Sequence, residues 1–244
     1  MATDPPRPAF YALASGGWRD YVTLLHPPYT AWHLSFVAIG AALTPAFSLS
    51  RLLPTLAAFF LAVGIGAHAL DELQGRPLKT RIPDAVLVTL SAASLVLAVG
   101  IGVVGAVVID PWIGAFVAAG SFIVVAYSLE LFAGRFHTDV WFALSWGSFP
   151  VLTGFFAAAG TLGLAALFGA LFAFALSLAQ RHLSTRVRDV RRRIAGVTGT
   201  ITRHDGSVEA ITVSDLAKAE EIALRALAGA TVALAAALVA MRLT

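Results

Sequence analysis

His68, Asp71 and Glu72 stand at i, i+3 and i+4 in the segment GIGAHALDELQGRPLKTRIP, which puts an imidazole and two carboxylates on one helical face. Such a set binds a divalent cation or passes protons as a catalytic group. Gly75 and Pro77 end the helix, and Arg76, Lys79 and Arg81 follow as groups fit to hold an anionic substrate. The competing reading is a plain helix end, with solvated carboxylates neutralising those cations and His68 an ordinary polar residue. A second cluster, QRHLSTRVRDVRRR, sets His182, Arg186 and Asp189 at helical spacing among the arginines that run from Arg181 through Arg188 to Arg193. Like charges at this density call for anions, supplied by a phosphate-bearing ligand or by lipid headgroups. Between the two clusters lies AYSLELFAGRFHTDVWF, with Tyr127, Glu130, Arg135, His137 and Asp139; Glu130 falls inside an apolar run and is expected to face the bundle interior.

The elements that must position these groups are membrane helices. The chain has 244 residues, 58% hydrophobic and only 13% charged, against about 25% charged in a soluble protein; its mean hydropathy is +0.82. That composition excludes an ordinary globular enzyme and a disordered chain alike. The absence of cysteine excludes disulfides, a thiolate nucleophile and Cys-ligated zinc or iron–sulfur sites. The pI near 9.7 does not imply nucleic acid, because the net charge is only +3 and the basic residues are one-sided.

Runs long enough to cross a hydrocarbon layer of about 30 Å extend from Tyr29 to Leu49, Leu52 to Leu70, Ala85 to Ile109, Trp112 to Leu131, Val140 to Gly160, Leu162 to Ala179 and Ile222 to Met241. All of the 17 Lys and Arg residues except Arg51 and Arg242 fall on one side of these runs. The positive-inside rule makes that side cytoplasmic, with the amino terminus in and the carboxy terminus on the opposite side of the membrane. The opening stretch Met1 to Tyr21, with Pro5, Pro6 and Pro8, lacks the apolar core of a signal peptide. The expected fold is therefore an all-α polytopic bundle of about seven spans. Residues 1–28 form a cytoplasmic amino-terminal segment and residues 29–179 a six-span bundle. Residues 180–221 form a basic cytoplasmic loop, and residues 222–244 the seventh span and carboxy terminus.

Within the basic loop, β-branched alternation around His204-Asp205-Gly206 predicts a short hairpin, 198–203 against 208–213, and Ser214 is the predicted cap of the last helix. In the fifth run, Trp141, Trp146, Gly147, Pro150 and Gly154 permit a kink or a close helix approach.

An aromatic-rich bundle with charged loops after its second and sixth spans resembles the UbiA superfamily of intramembrane prenyltransferases. LHPPYTAWHLSFVAIGAAL, with His26 and Pro27, looks like the family's first helix, and AHALDELQGRPLKTRIP looks like its first aspartate motif with a basic tail. Tyr127-Ser128 followed by Gly147, Pro150 and Gly154 resembles the central region of the family, and the run from Arg181 lies where the second motif belongs.

The resemblance implies a UbiA-like fold and a reaction between an isoprenyl diphosphate and a lipophilic acceptor. His68, Asp71 and Glu72 would be catalytic, and Mg²⁺ would be held by Asp71, Glu72 and Asp189. Arg76, Lys79, Arg81, Tyr127, Glu130, Arg181, His182, Arg186 and Arg188 would contact the substrate.

The sequence departs from the family where its first motif has Asn-Asp, Asp and Asp: here stand Ala67, His68, Asp71 and Gly75. Family members usually have nine spans, so a membrane partner or a second copy is an open expectation. With fewer aspartates, Arg76, Lys79, Arg81, Arg181, Arg186 and Arg188 are left to hold the anion. Three other readings stand beside this one. The first is a non-catalytic protein on the same scaffold that binds an isoprenoid lipid such as a polyprenyl phosphate, or assists membrane assembly. The second is a transition-metal site built from His68, Asp71, Glu72, Glu130, His137 and His182. Ion transport is the third, and it is disfavoured by midspan segments almost free of ionisable groups.

Overall fold

Each of the seven apolar runs folds as a helix in the computed structural model, which describes residues 7–244; Pro5 and Pro6 of the opening stretch lie outside the described residues. A short α1 (Trp18–Leu24) precedes α2 (Pro27–Ala42), α3 (Leu49–Leu73), α4 (Asp84–Val108), α5 (Ile113–Ser128), α6 (Asp139–Ala159) and α7 (Leu164–Arg193). The strands β1 (Thr200–Thr202) and β2 (Val208–Ala210) come next, and α8 (Lys218–Leu243) ends the chain.

Five of the helices, α3, α4, α6, α7 and α8, are long and apolar enough to cross a membrane. This is the architecture of a helical membrane protein. The other two apolar helices are shorter than the sequence led us to expect. α2 and α5 have 16 residues each, about 24 Å at 1.5 Å per residue. α2 stops at Ala42 rather than running to Leu49 because Pro45 disfavours helical geometry at Thr44. α7 errs the other way: it continues past Ala179 through the whole basic run to Arg193, since Arg, Leu and Gln are good helix formers once a helix is under way.

α2 and α6 form the centre. The apolar window of α6 is 67% buried, against 22% for α4 and for α8, whose outward Val and Leu side chains are exposed. α2 and α6 cross where each offers a glycine to the other's backbone: a Cβ on Gly40 would collide with the Val151 carbonyl, and one on Gly154 with the Val37 carbonyl. Small residues at such crossings let membrane helices approach closely. Around this crossing Trp32, Phe36, Val37, Ile39, Val151 and Ala173 make the largest buried cluster, closed by Ala228 and Ala235 of α8.

The two cations away from the basic end are explained by helix ends. Arg51 donates to the Ala158 carbonyl at 2.8 Å and Arg242 to the Ala42 carbonyl at 2.8 Å, so each satisfies an orphan acceptor at a carboxy-terminal turn.

At the basic end, α7 and α8 extend beyond the apolar layer and pack Val187 and Val190 against Ala217 and Leu224, with Phe10 partly buried against them and Arg191 paired to Glu221 alongside. The hairpin forms as expected but is shorter, antiparallel with Ile201 opposite Glu209, and exposed. Ser214 does not cap α8: it lies in a 3₁₀ turn, Val213–Leu216, that Thr212 and Asp215 cap by exchanging hydrogen bonds, and α8 itself starts after Ala217 with no side-chain cap.

Candidate functional site

The basic ends of α3 and α7 line one cavity of about 940 Å³. α3 brings His68 and Asp71, α5 brings Tyr127 and Ser128, α6 brings Phe142 and Trp146, and α7 brings Gln180, Arg181 and Arg188. The amino-terminal strap closes the remaining side with Phe10 and Tyr11, and α2 adds Tyr29 and His33.

The strap is tied down by Asp20, a buried carboxylate that accepts from Gly16 N–H at 2.9 Å and from Arg81 N–H at 2.8 Å. Thr23 Oγ1 accepts from Leu13 N–H at 3.0 Å, and Arg191 donates to the Arg7 carbonyl at 3.2 Å. Tyr11 then sits with its ring 5.3 Å from His26 and edge-on to Tyr29 at 5.5 Å. Burial raises the Tyr11 hydroxyl well above the usual tyrosine range, so it remains a protonated donor. His26 occupies a left-handed position (φ 45°) just before Pro27 and stacks on His68, with centroids 4.0 Å apart and planes at 23°. Burial, and then the neighbouring His68, push His26 well below the usual imidazole range.

Three chamber imidazoles have their tautomer fixed by carbonyls. Nδ1 of His33 donates to Trp146 O at 2.9 Å, that of His68 to Gly64 O at 3.2 Å, and that of His137 to Tyr127 O at 3.1 Å. A carbonyl only accepts, so Nδ1 carries a hydrogen in each, and in the neutral form of such a ring Nε2 is the acceptor.

Several expected site residues stand apart from the chamber or reach only its rim. Glu72 is fully buried, and both of its oxygens are occupied: Oε2 accepts from Leu78 N–H, and Oε1 accepts from Thr80 N–H and Thr80 Oγ1, all at 2.9 Å. These bonds fold the loop after α3 back on the helix and hold Arg76 (φ 55°) and Lys79 (φ 56°) in left-handed conformations. Arg76 is turned to Asp84 and the Ile82 carbonyl, while Lys79 and Arg81 are exposed. None of the three lines the chamber. Glu130 does not face the interior. It lies just past the end of α5 in a left-handed conformation and is exposed at the chamber rim, its carboxylate 3.9 Å from His137. His182 and Arg186 are also exposed at the rim, and Asp189 there lies between Arg186 and Arg193, 3.8 Å from each.

The Mg²⁺ arrangement implied by the resemblance does not fit this donor set. Of its three expected carboxylates, Asp71 alone lies inside the chamber with its charge unpaired. Nor are the six residues of the transition-metal reading gathered; among the described residues no group of three or more His, Asp or Glu is placed to hold a metal ion.

Tyr11, Tyr29, His33 and Gln180 are chamber residues that the sequence reading passed over, while Arg192 entered it only as one of the clustered arginines and His26 only through the resemblance of the first helix. For α7 the signal was present: Gln180, Ser184, Arg188 and Arg192 repeat every four residues and share one face. The strap and the histidines carry no such periodicity.

A second cavity, of about 770 Å³, adjoins the first. It is an apolar groove bounded by α3, α4, α5 and α6, and runs from Arg51 to Trp146. Val63 and Trp146 belong to both walls. Each stands in a π-helical turn, Phe60–Ala67 of α3 and Leu144–Ser148 of α6, and the two residues share one buried cluster with Tyr127. Such turns swell a helix locally and often mark functional positions. The arrangement can take a polar, anionic head on one side of Trp146 and an apolar chain on the other. Nothing among protein-family models, curated proteins or solved structures matches the chain.

Proposed function

We propose that the protein is a UbiA-like membrane prenyltransferase, taking an isoprenyl diphosphate and a lipophilic acceptor at the cytoplasmic side of the membrane. The observation that carries this reading is the meeting of an arginine-lined chamber with an apolar groove at Val63 and Trp146. A prenyl diphosphate has the same division, a multiply charged head joined through one carbon to a hydrocarbon tail. That reacting carbon would lie beside Trp146, within the neighbourhood of His33, His68 and Asp71. Arg181 and Arg188 would stabilise charge as it gathers on the leaving group, and the free Nε2 of an imidazole would accept the proton released by the acceptor.

A second reading keeps the ligand and drops the reaction: a membrane protein that binds an isoprenoid phosphate without turning it over. The occupation of Glu72 by backbone donors favours it, since only Asp71 remains as an acidic group near the reacting carbon.

Purified protein in nanodiscs, incubated with geranylgeranyl diphosphate and a lipid extract, separates the two. Pyrophosphate release with a prenylated product supports transfer. A raised melting temperature without release supports binding alone, and no effect of the diphosphate on melting overturns both.

A further inference from the structure

The arginines on the basic half of α7 sort by their partners. Arg181 donates to Asp139 at 2.9 Å, Arg191 pairs with Glu221, and Arg186 and Arg193 share Asp189. Arg188 and Arg192 have no carboxylate partner among the described residues. They stand one helical turn apart on the face that lines the chamber, Arg188 half-buried and Arg192 at the rim. The one side-chain bond of Arg188 among the described residues runs to Thr185 Oγ1 at 2.9 Å. A guanidinium withdrawn from water without an anion is costly.

The same wall holds two buried polar side chains, Ser128 beside Asp71 and Gln180 beside Tyr29, only 3% and 5% exposed, whose Oγ and Oε1 have no partner in good hydrogen-bond geometry among the described residues. Buried polar atoms left unpaired by protein point to a ligand or an ordered water that completes them.

From this geometry we infer that the chamber holds a phosphate or diphosphate group directly between the guanidinium groups of Arg188 and Arg192, with no divalent cation bridging it to carboxylates. Taking that group as the head of an isoprenyl diphosphate rests on the function proposed above; the direct mode of holding it does not. Guanidinium matches phosphate with two parallel N–H donors, and such a bond gains strength where the guanidinium is half-buried, as that of Arg188 is. Tyr11 lines the same cavity as both arginines, and its hydroxyl offers a further donor. Asp71 is the one carboxylate of the chamber that lies inside its rim, and it makes no ion pair among the described residues, so it repels the anion in this arrangement where it would anchor a metal in the other.

The test measures binding to the full chain in nanodiscs by calorimetry, with inorganic pyrophosphate and farnesyl diphosphate as probes, each in excess chelator and in excess Mg²⁺. Binding of either probe in chelator, weakened at least about tenfold in Arg188→Gln and in the rim variant Arg192→Gln, supports the inference; Asp71→Asn then tightens it. Binding only with Mg²⁺, binding lost in Asp71→Asn, or binding in chelator that ignores both arginine variants overturns it. Pyrophosphate bound in chelator as tightly as farnesyl diphosphate leaves the inference standing and removes the prenyl reading. Farnesyl diphosphate bound only with Mg²⁺ does the reverse. No binding of either probe in any condition overturns both.

Discussion

His33 and Trp146 are 113 residues apart in sequence and joined by one hydrogen bond, from His33 Nδ1 to the Trp146 carbonyl at 2.9 Å. The bond exists because of Pro150. A helical carbonyl normally accepts from the N–H four residues on, and proline has none to give. The Trp146 carbonyl is thus left open in the π-helical turn of α6, and the buried His33 of α2 fills it, which also aims its Nε2 lone pair at the chamber.

Replacing His33 by Phe should therefore cost stability as well as a functional group. It leaves the Trp146 carbonyl buried and unpaired, a loss of about 1–3 kcal/mol. The melting temperature of His33→Phe in detergent should fall clearly, and Pro150→Ala, which returns an N–H to α6, should recover part of that fall in the double variant. Equal melting of His33→Phe and the unaltered protein would show that the bond contributes nothing.

Glu72 belongs to the loop, not to a metal. Glu72→Gln places an amide N–H among donors that need an acceptor, and charge-assisted bonds of this kind contribute about 1.5–3 kcal/mol each. The variant should melt lower by the same margin in Mg²⁺ and in chelator. If Mg²⁺ stabilises the unaltered protein and Glu72→Gln abolishes that gain, the carboxylate is a ligand after all.

How much of this was legible depends on what each feature needs. The seven apolar helices follow from run length and hydropathy, which are local. The end of α7 at Arg193 does not, because a charge run marks the edge of the hydrocarbon layer and not the end of a helix. Asp71 and Arg188 could be found as charged groups at the ends of apolar runs, while His33 sits inside one and Tyr11 in a strap, so only the tertiary approach of α2, α6 and the strap makes them neighbours. Glu72 reads as an acidic ligand until the loop after it folds back and its backbone takes both oxygens.

Stability should fall as the pH drops below about 6.5, the ordinary pKa of an imidazole, and His26 contributes to that fall. Its pKa in the fold is lowered, by burial first and then by His68 stacked against it, with Arg188 and Arg192 adding repulsion. The unfolded chain therefore takes up the proton at a higher pH than the folded one, and protonation favours unfolding throughout that window. His26→Asn, which tolerates the left-handed backbone at φ 45°, should show a shallower loss between pH 7 and pH 5 in urea titrations; an unchanged slope would contradict the assignment.

The crossing of α2 and α6 sets a steric limit that can be read from two glycines. Gly154→Ala puts a methyl group against the Val37 carbonyl, and overpacking of this kind costs about 1–3 kcal/mol. Gly100 on α4 has nothing within 4 Å of an added Cβ, so Gly100→Ala should be neutral or stabilising by about 0.5–1 kcal/mol through helix propensity. Opposite signs for the two substitutions in SDS unfolding are the expected result, and a tolerated Gly154→Ala would mean the helices are not packed this closely.

Trp146 is the partition between chamber and groove, and the absence of cysteine from the chain makes this directly testable. Ala62 lines the groove alone, whereas Asp71 lines the chamber alone. In single-cysteine proteins, Asp71→Cys should react quickly with a charged, water-soluble methanethiosulfonate and Ala62→Cys should not, because the reagent must pass a wall of apolar side chains. Trp146→Ala removes the ring that Tyr127 meets edge-on at 5.5 Å, joining the two volumes and letting water reach the tail side. Ala62→Cys should then become reactive. Reactivity that is high from the start, or that remains low once Trp146 is truncated, would mean that the groove and the chamber are not divided at this residue.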